Sequence, residues 1–548
     1  MKSIFLICSC LSLLLTKCKS QVQNINIETF QKQLPVLINK EANEILKIRV
    51  TKYDGFPLTV EKLKISTVGT TDLNDLESIS VFYTADKERF STESIFAKSS
   101  SLSDEMIFEG KQTIEKDTSF FWLSYKLKKS ANLLNSVDGN CTSIITNSGE
   151  LQVALGSTTT NIVQQLGVAV RQNKQDNVHT YRIPGLTTTN KGTLLATYDV
   201  RREMGRDLQG NIDIGLSRSL DGGQNWESMQ IVLDMKTWGG LPEKFNGVSD
   251  ANILVDRTNN DIYITGLWMH GVINSKGKWL DGLNENSKDW NHQWKTKGSQ
   301  PGLGVKQTCQ FLIIKSTDDG KTWSEPVNLT EICKDPKWWL WAPAPGHGIT
   351  LKDGTILFPT QGRDENGKTF SNITYSKDHG ITWKTSKVAY QNTTECMAVE
   401  LLDGSILLNM RDNRNHKEKG EKNGRAITMT YDLGKTWTEH PTSHAALIES
   451  VCMASIHRHN YKDKKGEAKS ILLFSNPNSK FKRHKQTIKV SFDDGSTWPE
   501  KYWLELDAGI GRGYSCLTSI DENTIGILYE GSQSQMTFQK ILLSEFLN

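Results

Sequence analysis

SLDGGQNW (219–226), STDDGKTW (316–323), SKDHGITW (376–383), TYDLGKTW (430–437) and SFDDGSTW (491–498) are five copies of one phrase. Each runs Ser or Thr, Asp two residues on, Gly two further and Trp three beyond, a pattern that chance produces at roughly one start in 10⁵. The Asp carboxylate can accept hydrogen bonds from the N–H groups of its own turn, and the Gly supplies the positive φ that closes it. ILLNMR (406–411), AITMTYD (426–432) and QTIKVSFDD (486–494) approach the phrase as β-branched, alternating runs. Each copy therefore marks a hairpin, with its Trp opening the returning strand and packing inward.

The box aspartates Asp221, Asp318, Asp378, Asp432 and Asp493 are spaced 97, 60, 54 and 61 residues apart. A period near 60 suits a four-stranded propeller blade with long loops. The 97-residue gap holds either a loop insertion or a blade without a box. Residues 165–548 leave room for about six blades. Residues 24–155 contain no box but show strand-like runs, LKIRVTKY (46–53), SISVFYTA (78–85) and SFFWLSYKL (119–127). They read as a separate β-sandwich, sugar-binding or a spacer, with 139–158 leading out of it. The expected fold class is all-β: a six-bladed β-propeller preceded by a small β-sandwich domain.

The chain has 548 residues, 37% hydrophobic and 23% charged, with 65 Lys+Arg against 62 Asp+Glu, a net charge of +3. This is globular composition with room for two or more domains. The near balance argues against a nucleic-acid partner, so any anion recognition must be local. The first twenty residues, MKSIFLICSCLSLLLTKCKS, have a basic start, an apolar stretch and a polar end, which predicts a signal peptide over 1–20 and an exported protein, periplasmic, secreted or at the cell surface. Leu15-Thr16-Lys17-Cys18 also resembles a bacterial lipobox, making lipidation at Cys18 a second reading. No later segment is apolar enough to span a membrane. Cys141, Cys309, Cys333, Cys396, Cys452 and Cys516 are scattered with no C-x-x-C, and read as small buried hydrophobes. His457, His459 and His484 have no ligand spacing, so no metal is expected, and no cofactor fingerprint is found.

The boxes explain hairpins and not a reaction, so chemistry must come from residues outside them. HTYRIPGL (179–186), ahead of the first box, resembles the Tyr/Phe-Arg-Ile-Pro signature of exo-sialidases, also called neuraminidases, and the chain is similar to the bacterial Asp-box members, of the Bacteroides type with an N-terminal β-sandwich. The resemblance spans the propeller segment. It implies that Arg182, Arg411 (in ILLNMRDNR) and Arg483 grip a substrate carboxylate and that Arg201 (in YDVRRE) is a further pocket arginine. It also implies Tyr514 (in GRGYSCLTS) as nucleophile, Glu395 as its general base, Glu530 as an anchor for Arg182, and Asp207 as acid/base, with Asp213 a competitor. Asp250 resembles a sugar contact and Gln361 a residue reaching the glycerol tail; for both, an ordinary turn role is as good a reading.

The chemistry has a physical rationale. Sialic acid carries a carboxylate on its anomeric carbon, and planar guanidiniums bind it through paired, charge-assisted hydrogen bonds that Lys cannot reproduce. A carboxylate nucleophile would be repelled there, whereas a neutral phenol that gives its proton to a neighbouring base would not. Asp207 would protonate the leaving oxygen and later activate water, with retention, for which a raised pKa is expected. The implied activity is hydrolysis of terminal sialic acid from glycoproteins, glycolipids and oligosaccharides by a monomer. Alternatives are transfer of sialic acid to a sugar or within the substrate, a propeller that binds without catalysis, and a glycanase using paired Asp/Glu. Trp268, Trp279, Trp290 and Trp294, with the run KWWLWAP (337–343), are either a platform for outer sugars or core packing of an inserted loop.

Overall fold

The computed structural model describes residues 25–53, 57–155, 162–207, 210–240, 242–271, 292, 299–305 and 307–547. The leader at 1–20 with Cys18, and Trp279, Trp290 and Trp294, lie outside the described residues. Among those residues, no helix is long and apolar enough to cross a membrane.

Residues 25–155 form two sheets. One has six strands in the order Ala154–Leu155, Ile25–Gln31, Asn43–Lys52, Thr118–Leu127, Leu76–Tyr83 and Ile95–Ser99; the other orders Gly149–Gln152, Asn140–Thr146, Leu58–Ser66 and Glu105–Ile114. Alternation drives their pairing: Ile48 and Val50 on one sheet, and Val60, Leu63 and Ile65 on the other, belong to one core. The stretch 139–158, read as an exit, instead contributes three of these strands.

From residue 164 on, hydrogen bonding joins the strands into five sheets, the largest of which holds two antiparallel four-stranded sets bridged by a parallel contact of Ile212 with Gly247; with those sets counted separately as sheets there are six, taken here in chain order. The first comprises Thr180–Thr188, Leu194–Arg201, Ile212–Ser219 and Gln230–Leu233, and the second Asn246–Val255, Ile262–His270, Gln310–Ser316 and Val327–Asn328. In the third, the edge strand is broken into Leu340–Pro343 and Ile349–Thr350, followed by Ile356–Arg363, Thr369–Ser376 and Lys384–Thr385. The fourth runs Thr393–Glu400 to Thr438–Glu439, and the fifth Ser455–Lys462 to Leu504–Ile510. The sixth takes Ser515–Asp521, Thr524–Tyr529 and Met536–Leu542 from the chain end and completes itself with Gln164–Arg171 from the beginning.

Every box lies between the third and fourth strands of its sheet. The sixth sheet has no box because its third and fourth strands are not consecutive in the chain. The extra length of the 97-residue gap falls between Ile262–His270 and Gln310–Ser316, most of it outside the described residues.

The box chemistry repeats in detail. Asp318 Oδ1 accepts from the N–H groups of Lys321 (3.0 Å) and Thr322 (2.9 Å), and its Oδ2 accepts from Thr322 Oγ1 at 2.6 Å. The leading hydroxyl has its own job: Ser316 Oγ donates to Asp318 and accepts from Gly320 N–H at 3.0 Å, and Ser219, Ser376, Thr430 and Ser491 do the same in their turns. Two successive residues adopt positive φ, for example Asp319 at 67° and Gly320 at 77°. Boxes also lean on the preceding sheet. Thr193 donates to Asp319, Asp256 pairs with His379, and Leu402 N–H donates to Asp494, while Trp226 of the first box packs on Phe538 of the sixth sheet at 5.2 Å.

Of the described tryptophans in these two stretches, Trp268 and Trp341 pack into the core, while Trp338 and Trp339 are half-buried. Trp268 is fully buried with its ring centroid 4.6 Å from that of Trp238, and Trp341 stacks on Phe311 at 4.3 Å. All six described cysteines are free thiols, and only Cys333 is not fully buried.

Candidate active site

Three of the sheets begin with a strand that carries an irregularity near its start, and there a polar side chain leaves the regular alternation. In Thr180–Thr188 the register shifts between Arg182 and Gly185, with Ile183 at φ 61°; in Asn246–Val255 it shifts between Ser249 and Asn252, with Asp250 at φ 58°; in Thr393–Glu400 it shifts between Thr393 and Cys396, around Glu395. A bulge re-aims side chains, and left-handed backbone at a β-branched Ile or at a buried Asp is strain held by the surroundings. At Ile183 the restraint is visible, because its N–H donates to Glu530 Oε1 at 2.9 Å.

Glu530, at the end of the strand Thr524–Tyr529, is almost completely buried and binds three donors. Arg182 Nε donates to Oε1 at 2.5 Å alongside Ile183 N–H, and Tyr514 N–H donates to Oε2 at 3.2 Å. One carboxylate thus ties the first and last sheets together and fixes both Arg182 and Tyr514.

Tyr514 sits at the centre. Its Oη donates a hydrogen bond to Glu395 Oε1, while Glu395 Oε2 accepts from Arg411 Nη1 at 2.6 Å. Arg411 Nη1 also reaches Tyr514 Oη at 3.2 Å. The guanidinium carbons of Arg182 and Arg483 lie 5.4 and 5.5 Å from the centre of the Tyr514 ring. Arg182, Arg411 and Arg483, from the first, fourth and fifth sheets, therefore gather around one phenol. Arg483 is held by its own donors, Nη1 to the Arg512 carbonyl (2.9 Å) and Nη2 to the Val451 carbonyl (3.0 Å). Burial pushes the Tyr514 phenol well above its ordinary range and the Glu395 charge adds to this, against the pull of Arg411 and Arg483. The phenol is neutral and needs a base to become nucleophilic.

Arg201 Nη1 donates to Asp207 Oδ1 at 2.6 Å, and Arg182 Nη1 lies 3.5 Å from the same oxygen. The Asp207 side chain is 70% exposed, against 7% for Arg182 and 10% for Glu395. The raised pKa expected for Asp207 is not found. Partial burial pushes its carboxyl up, but Arg201 first and Arg182 next outweigh it and hold it below the usual carboxylate range. Asp250 behaves in the opposite way: it is buried, and burial together with the charges of Glu395, Asp199 and Asp207 pushes it well above that range.

Asp213, the competitor of Asp207, and Gln361 each have a partner outside this cluster. Asp213 lies in the strand Ile212–Ser219 and pairs with Arg202 at 2.6 Å. Gln361, in the third sheet, is buried and donates to the Pro343 carbonyl at 3.2 Å within its own sheet. Asp199 was not anticipated. It is fully buried and its Oδ2 accepts from Arg201 Nε, Arg201 Nη2 and Ser249 Oγ. The available signal was the D-x-R spacing in YDVR, which puts both side chains on one face of a strand. Glu449 is a second such residue. It pairs with fully buried Arg425 at 2.6 Å and accepts the N–H of Asp412, the neighbour of Arg411. A groove of about 790 Å³ between the boxes of the third and fourth sheets shares none of these residues; the electrostatics and not the volume mark this site.

Residues 192–527 match a family model described as a BNR repeat-like domain, and residues 23–150 match the N-terminal domain of BNR-repeat neuraminidase. A sialidase of Bacteroides fragilis is 38% identical over 541 residues, 94% of this chain and 94% of its own. A sialidase of Paraclostridium sordellii is 30% identical over 391 residues, 68% of this chain and 87% of its own. Among solved structures, a Hadza microbial sialidase aligns with a TM-score of 0.83 at 35% identity, over 95% of this chain and 100% of that one. A Trypanosoma rangeli sialidase aligns with a TM-score of 0.52 at 20% identity, over 70% of this chain and 60% of its own, which is a likeness of fold.

Proposed function

The chain belongs to the BNR-repeat sialidase family, and on that premise we propose how its residues divide the work. The protein is an exo-α-sialidase, a glycoside hydrolase acting on terminal sialic acid of glycoproteins, glycolipids and oligosaccharides. Sialidases with a tyrosine nucleophile stand outside the two-carboxylate scheme of most glycosidases. In this reading Arg182, Arg411 and Arg483 clamp the substrate carboxylate, and Arg201 and Asp250 contact the ring. Glu395 takes the phenolic proton as Tyr514 Oη bonds to the anomeric carbon. The bond to the leaving oxygen breaks, and Asp207 gives that oxygen a proton. Asp207 then takes a proton from water, which displaces Tyr514, and the phenol recovers its proton from Glu395. Two inversions give retention.

The observation that carries this reading is the Tyr514 hydroxyl bonded to Glu395 inside a ring of three guanidiniums. Asp207 is ionised in the free site. Substrate binding lends the clamp a negative charge, weakens the hold of Arg182 on Asp207 and excludes water, and each effect raises its pKa toward that of an acid. Tyr514→Phe should lower kcat on a fluorogenic sialoside by about 10³-fold or more. A fluorinated sialic acid that stalls the second step should leave its mass on the Tyr514 peptide. A fully active phenylalanine variant, or a label on another residue, would remove Tyr514 as nucleophile. Release of sialic acid carrying oxygen from isotopically labelled water separates hydrolysis from transfer.

The same proposal assigns the six sheets to six blades of a β-propeller over 165–548, residues 24–155 to a β-sandwich domain and residues 1–20 to an export signal on a monomeric protein. Its support is the order in which neighbouring sheets touch: Thr180–Thr188 packs against Asn246–Val255 on one side and Ser515–Asp521 on the other, Asn246–Val255 meets the third sheet, Ile356–Arg363 of that sheet meets Thr393–Glu400, and Ser455–Lys462 lies between Thr393–Glu400 and Ser515–Asp521.

A further inference from the structure

Two loops beside the clamp concentrate positive charge beyond what the clamp uses. Residues 412–424, after Arg411, and 478–485, around Arg483, hold eight lysines and arginines against three acids, a surplus of five on a chain whose net charge is +3. The loops are cross-linked. Lys419 Nζ donates to the Lys480 carbonyl at 2.8 Å, and Lys480 Nζ donates to the Gly420 carbonyl at 2.5 Å. Ser479 Oγ accepts the N–H groups of Phe481 and Lys482, which fixes the turn. Lys417, Lys422, Lys482 and Lys485 are exposed, and none has an acidic partner within ion-pairing distance among the described residues. Lysines on a braced ledge that form no ion pair maintain a positive potential toward solvent.

This ledge adjoins the clamp, because one of its loops follows Arg411 and the other carries Arg483, and both arginines reach Tyr514. Asp207, which protonates the leaving oxygen in the reading above, has a mostly exposed side chain in a cluster whose other members are largely buried. Arg182 spans the Tyr514 ring and Asp207, and Arg483 lies over the same ring, so clamp, acid and ledge are neighbours. The sialic acid carboxylate is already met by three buried guanidiniums. The four free ammonium groups are left for another anion.

We propose that this ledge selects sialosides whose remaining glycan carries a second anionic group, a further sialic acid carboxylate or a sulfate ester, over those with a neutral remainder. The inference rests on the sialidase reading and deepens it. Exposed ion pairs contribute at most about 1 kcal/mol each and are screened by salt, so the margin is modest and salt-dependent.

The test compares kcat/KM on sialyllactose, on the same trisaccharide sulfated on galactose with the linkage unchanged, and on disialyllactose. The wild type should favour the charged remainders by about fivefold at low salt, and the margin should vanish in high salt. The variant Lys417→Ala/Lys422→Ala/Lys482→Ala/Lys485→Ala should lose the margin while turning over sialyllactose within about twofold of wild type, which also reports that it folds. Lys482→Glu, a single change, should cut activity on charged remainders alone. Loss of only the sulfated or only the disialyl margin identifies which anion the ledge reads. A margin untouched by the substitutions or by salt overturns the inference while leaving the sialidase reading standing. Failure to cleave any of the three substrates overturns both.

Discussion

Asp207 and Asp250 are both carboxyls of one site, and their surroundings drive them apart. Two guanidiniums hold Asp207 below the usual carboxylate range, whereas burial among other carboxylates drives Asp250 well above it. If Asp207 is the proton donor, its pKa must rise when a substrate occupies the clamp. A group ionised in the free protein and raised on binding takes up a proton. Binding of an unsaturated sialic acid analogue near pH 5 to 6 should therefore absorb up to about one proton per site, read by calorimetry in buffers of different ionisation enthalpy. Asp207→Asn should abolish the uptake; uptake that persists in this variant would place the titrating group elsewhere. At this scale the sequence was partly legible. Arg182 and Tyr514 stand in recognisable motifs, but Asp199, which holds Arg201, shows only as a D-x-R spacing, and Glu449, which holds Arg425 and the Asp412 N–H, leaves no motif. The strain at Ile183 is invisible in the letters, because nothing in R-I-P announces a left-handed isoleucine.

At the scale of the element, the turn box is a hydrogen-bonded hairpin whose every fixed letter has a task. Ser or Thr closes the loop on the glycine N–H, Asp gathers the donors of the far side, and the two left-handed positions favour small or locally hydrogen-bonded residues. These tasks are local, which is why the boxes could be read in full from sequence. The box-free sixth sheet was not, since its last strand comes from nearly 370 residues earlier in the chain. The first box bears on that seam. Gly223 has φ 93°, and a Cβ there would lie 2.0 Å from a ring carbon of Phe538, whereas at Gly222, with φ 69°, the nearest atom is the flexible end of Lys540 at 3.4 Å. Gly223→Ala should cost about 2–4 kcal/mol and Gly222→Ala about 1, measured as a shift of the denaturant midpoint. Equal effects at the two positions would show that the backbone angle and not the contact with the sixth sheet sets the cost.

For the whole molecule, the question is whether residues 25–155 are a passenger. Sequence composition left a sugar-binding module and a spacer as the two readings, since neither aromatic content nor turn spacing shows what a module is packed on. The structure makes it part of the seam. Val36–Ile38 pairs in parallel with Gln164–Arg171, covering what would otherwise be the outer edge of the sixth sheet. Gln224 of the first box donates to the Lys129 and Ala131 carbonyls, and the Ala508 N–H donates to the Gln33 carbonyl. One apolar core runs from Val36 and Ile38 through Leu166, Val168 and Phe538 to Tyr181, the residue before Arg182. Removing the module would expose an unpaired strand edge and open that core two side chains from the clamp, and an exposed apolar edge is an aggregation site. A chain beginning at residue 162 should therefore be poorly soluble or lose most of its kcat on a small fluorogenic sialoside, a substrate too short to reach any second sugar site. A detached binding module predicts the contrary, full activity on the small substrate with loss confined to large glycans. A truncated protein with the thermal midpoint and small-substrate kcat of the full chain would reduce the N-terminal sheets to an appendage, and with them the claim that the two ends of this chain hold Tyr514 and the arginines around it in place.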